Sequence, residues 1–459
     1  MFKKLILFSL LLLITLGLSG CFELSAQTED PREQITLNYW RLWDDSQSLA
    51  PIIEEYSALH PNISINYKKF RHDNYRESLV NAMAENRGPD LFSIHNSWVK
   101  EYKNKISPMP EKVKMSKVIE KGVINKEQAL TVETKKMMGV KNLENKFLDV
   151  VYDDVVLKNE KGIEKIYALA LSADTLAMYY NKDLLNNAGI AEPPEYWDRN
   201  FQQAVKKMTK QDNEGKIIQA GVALGGAYNI ERASDILSVL MMQGGATMMT
   251  EQGEIKFHTI PENMEGYNPG LEALEFYTDF ANPGKEVYCW NDSLDNSLEM
   301  FTEGKLGIMF GYAYHLPIIK TQAPKLNFNV VKLPQIKGRE VNFANYWVET
   351  VSHKSDHQDA AWDFLQFATQ KEQVKKYLDY VNKPTALRSL VNKQIEDKEI
   401  GVFASQLLTS QSWYEGYDAL AAEEALKKMI QETNNKEEEV DKIMTRAANK
   451  IQQTAVKQY

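Results

Sequence analysis

Cysteine is nearly absent: 459 residues contain two, Cys21 and Cys289, so at most one intramolecular disulfide is possible and a packed core must supply the stability. Basic charge is not in excess either. Lys and Arg number 54 against 63 Asp and Glu, a net charge of −9 with both signs mixed, which leaves no basic face for nucleic acid. No phosphate loop, dinucleotide fingerprint or Ser-His-Asp signature occurs. His353 and His357 have a spacing that allows metal binding on a helix, but no third ligand accompanies them, and no cofactor is expected. Acidic doublets such as Asp44-Asp45 and Asp153-Asp154 are adjacent in sequence, and adjacent carboxylates on a loop rarely face each other as glycoside hydrolysis requires. No repeat of solenoid length is present.

Lys3 and Lys4 precede the apolar run Leu5 to Leu18, and small residues follow. That pattern is a secretory signal, and the run is short for a mature membrane span. Leu18-Ser19-Gly20-Cys21 resembles a bacterial lipobox, which implies a signal peptide over residues 1–21 with Cys21 as the lipidated residue. With Cys21 so used, Cys289 has no partner and reads as a small packed residue. Residues 22–34 are polar and aperiodic and read as a flexible tether.

The rest of the chain is long enough for two or three full cores. Ile35 to Trp40, Leu49 to His60 and Ile63 to Tyr67 read as strand, amphipathic helix and strand, a right-handed parallel unit. Ligands in such sheets bind off the carboxyl ends of the strands, where Trp40, Trp43, Asp44 and Asp45 fall. Asp90 to Ile94 is a third strand, followed by His95-Asn96-Ser97-Trp98. Residues 100–165 are irregular and lysine-rich, with helical segments expected near Glu127 to Met138 and Phe147 to Val156.

Two short apolar runs, Tyr167 to Leu171 and Leu176 to Tyr180, flank Ser172-Ala173-Asp174 and lead into Asn181 and a helix. Ala168 to Leu184 resembles the first interlobe crossing, P-x-x-x-[DE]-x-x-x-x-x-Y-N-K-D-L, of family 1 extracellular solute-binding proteins. These are the sugar-binding components of ABC importers, similar to maltose-binding protein. Leu169 and Ala170 stand where many relatives have proline, whereas Tyr180-Asn181-Lys182-Asp183-Leu184 matches throughout. Gly88-Pro89-Asp90-Leu91 and Phe301 to Met309 resemble further motifs of the family, and the likeness covers most of the chain.

The resemblance implies an α/β, two-lobed periplasmic-binding-protein fold of type II, each lobe a mixed sheet flanked by helices and joined by a hinge. Residues 35–170 with 292–342 are expected to form the N-terminal lobe, and 171–291 with 343–459 the C-terminal lobe, crossing near Ala170, Asp292 and Tyr346. A sugar presents flat C–H faces bordered by hydroxyls, which aromatic rings and polar groups recognise together. The expected contacts are Trp43, Asp44, Asp45, Asn96, Trp98, Asp174, Tyr312, Tyr314, Trp347 and Trp413, with His95 and Tyr414 nearby. The implied function is capture of a mono- or oligosaccharide for an ABC permease by a monomer lipid-anchored at the outer face of the cell membrane. Two alternatives stay open: the same fold with a polyamine, peptide or metal complex as ligand, and a surface lipoprotein that degrades polysaccharide.

Overall fold

The computed structural model describes residues 32–121, 127–262 and 264–456. The expected signal peptide, Cys21 and the tether up to residue 31 lie outside the described residues. The first sheet has four strands in the order Trp347–Val351, Leu91–His95, Ile35–Leu42, Ile63–Phe70. The last three are parallel and Trp347–Val351 is antiparallel to its neighbour. Alternation builds the central strand: Ile35, Leu37 and Tyr39 are buried while Thr36 faces solvent.

The second sheet has five strands in the order Phe328–Val331, Ala177–Asn181, Leu306–Gly311, Ile217–Val222, Lys210–Gln211. Ala177–Asn181 and Leu306–Gly311 are buried throughout, as strands covered on both faces must be. The Asn181 side chain accepts from the Asp183 and Leu184 N–H groups and starts the following helix, so the Tyr-Asn-Lys-Asp-Leu motif is a strand end and its cap. Cys289 is fully buried, and burial pushes its thiol up to about 12, which makes it inert packing.

The lobes are discontinuous, but not with the expected boundaries. One apolar core draws on residues from Ile35 to Ala173 and from Ala344 to Leu407; the other draws on Leu176 to Phe343 and Phe403 to Ile451. Residues 292–342 therefore belong to the second lobe. Leu306–Gly311 pairs antiparallel with Ala177–Asn181, with Met309 opposite Tyr179, and there is no crossing at Asp292. Trp347–Val351 and the helices Gln358–Ala368 and Lys371–Val381 return to the first lobe. The chain recrosses to the second lobe between 403 and 411, ahead of the terminal helices Ala419–Asn434 and Val440–Ala455. The crossings are tied side by side. Asn342–Phe343 runs parallel to Ser410–Gln411, and Thr175 bridges Ala344.

The helix expected near Glu127 to Met138 is a strand. Lys112–Lys121 and Glu127–Lys136 form an antiparallel hairpin of ten paired positions. The β-branched run Thr131-Val132 and Thr134, with cross-strand partners, outweighs the helical spacing read there.

Candidate functional site

A cleft of about 240 Å³ lies between the lobes. The first lobe contributes His72, His95, Asn96, Trp98 and Trp347. The second contributes Arg232, Ser234, Asp235, Ser238, Trp413 and Glu423, and the crossing contributes Phe343, Ala344 and Asn345. His72, His95, Asn96 and Trp98 stand at or just past the carboxyl ends of their parallel strands, and Trp347, which opens the antiparallel strand, reaches the same end of the sheet.

Trp347 is the centre of an aromatic cluster. Its ring lies edge-on to Trp98 at 5.4 Å, His95 at 5.7 Å, Tyr75 at 6.2 Å and Trp43 at 6.3 Å. Register explains the placement, because Trp347 pairs directly with His95 across the antiparallel edge. Trp43 is half exposed with φ +67°, and stacks on His72 beside the cleft. On the other wall the Trp413 indole N–H donates to Ser238 Oγ at 3.1 Å.

A chain of hydrogen bonds crosses the cleft floor. His95 Nε2 lies 3.0 Å from Asn345 Oδ1, and Asn345 Nδ2 donates to Asp235 Oδ2 at 3.3 Å. Asp235 also accepts from Arg232 Nε at 2.9 Å, Arg232 Nη2 at 2.8 Å and the Tyr312 hydroxyl at 2.6 Å. Burial, the largest single influence, opposes its charge, but the Arg232 charge and hydrogen bonds together with the Tyr312 hydroxyl hold the carboxyl below its ordinary range. Burial lowers His95 to about 4, so the ring is neutral at neutral pH and donates from Nε2 while Nδ1 accepts from Ser97. Arg232 itself has φ +56° at the start of the buried helix Ala233–Gly244, a left-handed position that its bidentate pairing over-determines.

A second network lies beneath. Asp154 is buried and accepts from Asn96 Nδ2 at 3.0 Å, from the Tyr346 hydroxyl at 2.5 Å and from the Ser412 hydroxyl. It joins the first lobe to both later crossings. Burial raises its carboxyl to about 6 against these three donors.

The structure thus gathers Asn96, Trp98, Trp347 and Trp413 around one cleft, with His95 and Tyr414 beside them and Trp43 at the rim. Asp44, Asp45, Asp174, Tyr312 and Tyr314 do not line it. Asp44 is held by Lys383 Nζ at 2.7 Å, the Tyr377 hydroxyl at 2.8 Å and Arg41 at 3.6 Å, and Arg41 pairs in turn with buried Glu349 at 2.9 Å. Its carboxylate is spent on that network. Asp45 caps the short turn Ser46–Ser48 by accepting from the Gln47 N–H. Tyr312 is fully buried, and Tyr314 stacks on its ring and on His315.

Asp174 is a backbone clamp. Its carboxylate accepts from the Thr175 N–H at 2.8 Å and the Ala313 N–H at 2.9 Å, and burial pushes it up to about 7. An acid raised in the folded state keeps its proton to higher pH than it does unfolded. Its stabilising contribution is therefore complete below about pH 4 and lost as pH rises through 7. We expect Asp174→Asn to gain stability relative to the parent as pH rises from 5 to 8, by up to about 2 kcal/mol at pH 8, because the buried histidines, lowered in the fold, contribute equally to both proteins and cancel in the difference. Melting curves of both proteins at several pH values check this; a stability difference that does not grow with pH contradicts it.

Sequence reasoning missed His72, Arg232, Asp235, Asn345 and Glu423. One signal was available: Glu231-Arg232 and Asp235 stand at the head of an otherwise apolar helix, an i,i+3 ion pair where burial is expected.

Two discontinuous lobes of mixed sheet and helix, with a polar and aromatic cleft between them, define the type II two-lobed binding-protein fold. Residues 43–375 match the family model of bacterial extracellular solute-binding proteins, and the chain belongs to that family. It is similar to a Brucella abortus protein named only as a binding protein, 25% identical over 349 residues and 72% of each chain. It is also similar to the maltotriose-binding protein of Pyrococcus abyssi, 24% identical over 343 residues, covering 72% of this chain and 61% of that one. An ABC transporter solute-binding protein of Thermotoga lettingae, crystallised with α-D-tagatose, superposes with a TM-score of 0.66 over 92% of this chain and all of its own, at 18% identity. At that identity the likeness speaks for the fold.

Proposed function

We propose that this protein captures a carbohydrate in the interlobe cleft and delivers it to the permease of an ABC importer, as a monomer held at the outer face of the membrane by lipid on Cys21. One observation carries the reading: indoles from both lobes, Trp98 and Trp347 against Trp413, flank the polar chain of His95, Asn345, Asp235 and Arg232. Indole faces suit the C–H faces of a pyranose, and the polar chain suits its hydroxyls. The sugars in the names of the Pyrococcus and Thermotoga proteins agree with it. Ligand touching both walls would favour lobe closure by its differential affinity for the closed form, without chemistry.

The arrangement favours binding over hydrolysis. Asp235 already accepts four hydrogen bonds, and Glu423 lies 2.8 Å from Lys427 and 3.6 Å from Arg232. Neither is placed as a free general acid. A thermal-shift screen of mono- and oligosaccharides, with polyamines, peptides and ferric salts alongside, tests the reading. A ligand at a hundred times its Kd adds about 2.7 kcal/mol, a clear shift. Stabilisation by one sugar class is the expected result. A shift with a polyamine or peptide and none with any sugar removes the carbohydrate assignment.

A further inference from the structure

The Lys112–Lys136 hairpin has no part in the cleft, and its strands pair only with each other among the described residues. Its base is seated on the first lobe by buried Val113 and Met115 and by Lys135, whose Nζ lies 2.6 Å from buried Asp363. Ser116 is the last anchored position. It donates to Asn62 Oδ1 at 2.5 Å, and its carbonyl lies 2.9 Å from His60 Nδ1. Past Ser116 no described side chain of the hairpin is fully buried, and Val132 is 42% exposed.

Register puts Lys112, Lys114, Val118, Leu130, Val132 and Lys136 on one face, with Thr134 and the docked Ser116 between the lysines at its base and the aliphatic residues beyond. Lys112 stands directly opposite Lys136, both exposed, an arrangement that repels unless an anion lies against it. The two strands hold six lysines and three glutamates in a chain whose net charge is −9. Half-exposed aliphatic residues flanked by lysine on a two-stranded ribbon match the interfacial zone of an anionic bilayer.

Position supplies the second argument. Asn62, which holds Ser116, also donates to the Glu33 carbonyl at 2.8 Å and accepts from the Ile35 N–H at 2.8 Å. The chain therefore enters its first lobe beside the midpoint of the hairpin. Residues 22–32 separate Cys21 from Glu33, a reach of roughly 40 Å at full extension. We propose that this hairpin is a second membrane contact, resting on anionic phospholipid headgroups next to the anchor. Its location in the cell rests on the lipid-anchored reading; its affinity for lipid does not. Ile35 and Ile63 begin their parallel strands at this end, whereas the cleft lies at the opposite end, so a seated hairpin leaves the cleft uncovered.

The test uses the chain from residue 22 onward, which retains both cores complete, floated with phosphatidylglycerol-containing or pure phosphatidylcholine vesicles. Binding to the former alone, lost at high salt, is expected. K112E/K114E/K136E should weaken it at least about tenfold with an unchanged melting temperature, since all three lysines are exposed. V118S/L130S/V132S should weaken it without changing charge. No binding to phosphatidylglycerol at low salt, or equal binding by both variants, overturns the proposal; cross-links from position 118 to a membrane protein in cells instead assign the face to a protein partner. The mass of the Cys21 peptide reports lipidation separately, so the anchor and the hairpin can fail independently.

Discussion

Asp235→Ala is expected to destabilise the protein by about 3–5 kcal/mol and to abolish measurable ligand capture. Asp235 is 5% exposed and accepts four hydrogen bonds from three side chains. Its removal strands the Arg232 guanidinium, the Tyr312 hydroxyl and the Asn345 amide in a desolvated place, and unpaired buried groups cost more than a paired set contributes. Asn345 would also lose the acceptor that fixes its orientation, and His95 depends on that orientation. Replacing the ion pair by R232M/D235L should recover much of the stability and none of the affinity. Urea unfolding followed by tryptophan fluorescence gives the first quantity and titration calorimetry the second. A single variant within about 1 kcal/mol of the parent would show that the hub is not structural.

Trp347→Ala should leave a folded protein whose affinity for its sugar is lower by about 2–3 kcal/mol, or roughly 30- to 150-fold. The indole is half-buried and packs against rings at the head of the first sheet, so truncation removes a stacking surface and lets water reach His95. Trp347→Phe keeps a flat ring and should recover about half of the loss. Trp413 on the opposite wall gives the contrast. If both lobes grip the ligand, Trp413→Ala should weaken binding comparably, and closure seen by small-angle scattering should fail in both variants. An unchanged Kd in Trp347→Ala would remove the cluster from the binding surface.

What the chain discloses locally and what it withholds differ for physical reasons. Asn181 caps through its nearest neighbours, so strand, cap and helix are legible in five residues. Trp98 and Trp347 follow from strand ends, where aromatic residues have few reasons to stand except a cleft. Asp44 misled because its partner Lys383 is 339 positions away, and nothing local distinguishes a carboxylate that binds sugar from one that binds lysine. Residues 292–342 were placed in the wrong lobe for the same reason: the pairing of Met309 with Tyr179 is a long-range choice. Glu127 to Met138 reads as helix in the sequence because lysine and glutamate spacing suits either state until a partner strand is counted.

The return of Trp347–Val351 to the first sheet also bears on how the chain is made. Glu349 pairs with Arg41 at 2.9 Å and accepts from Ser93 at 2.6 Å across 256 positions, so every shorter nascent chain would bury Arg41 without its nearer carboxylate, with Asp44 alone at 3.6 Å. The first lobe cannot close until about three quarters of the polypeptide has emerged, since residue 347 of 459 opens its edge strand. Until residue 351 has been made, the strand Leu91–His95 lacks its antiparallel partner and one edge of the first sheet stays uncovered.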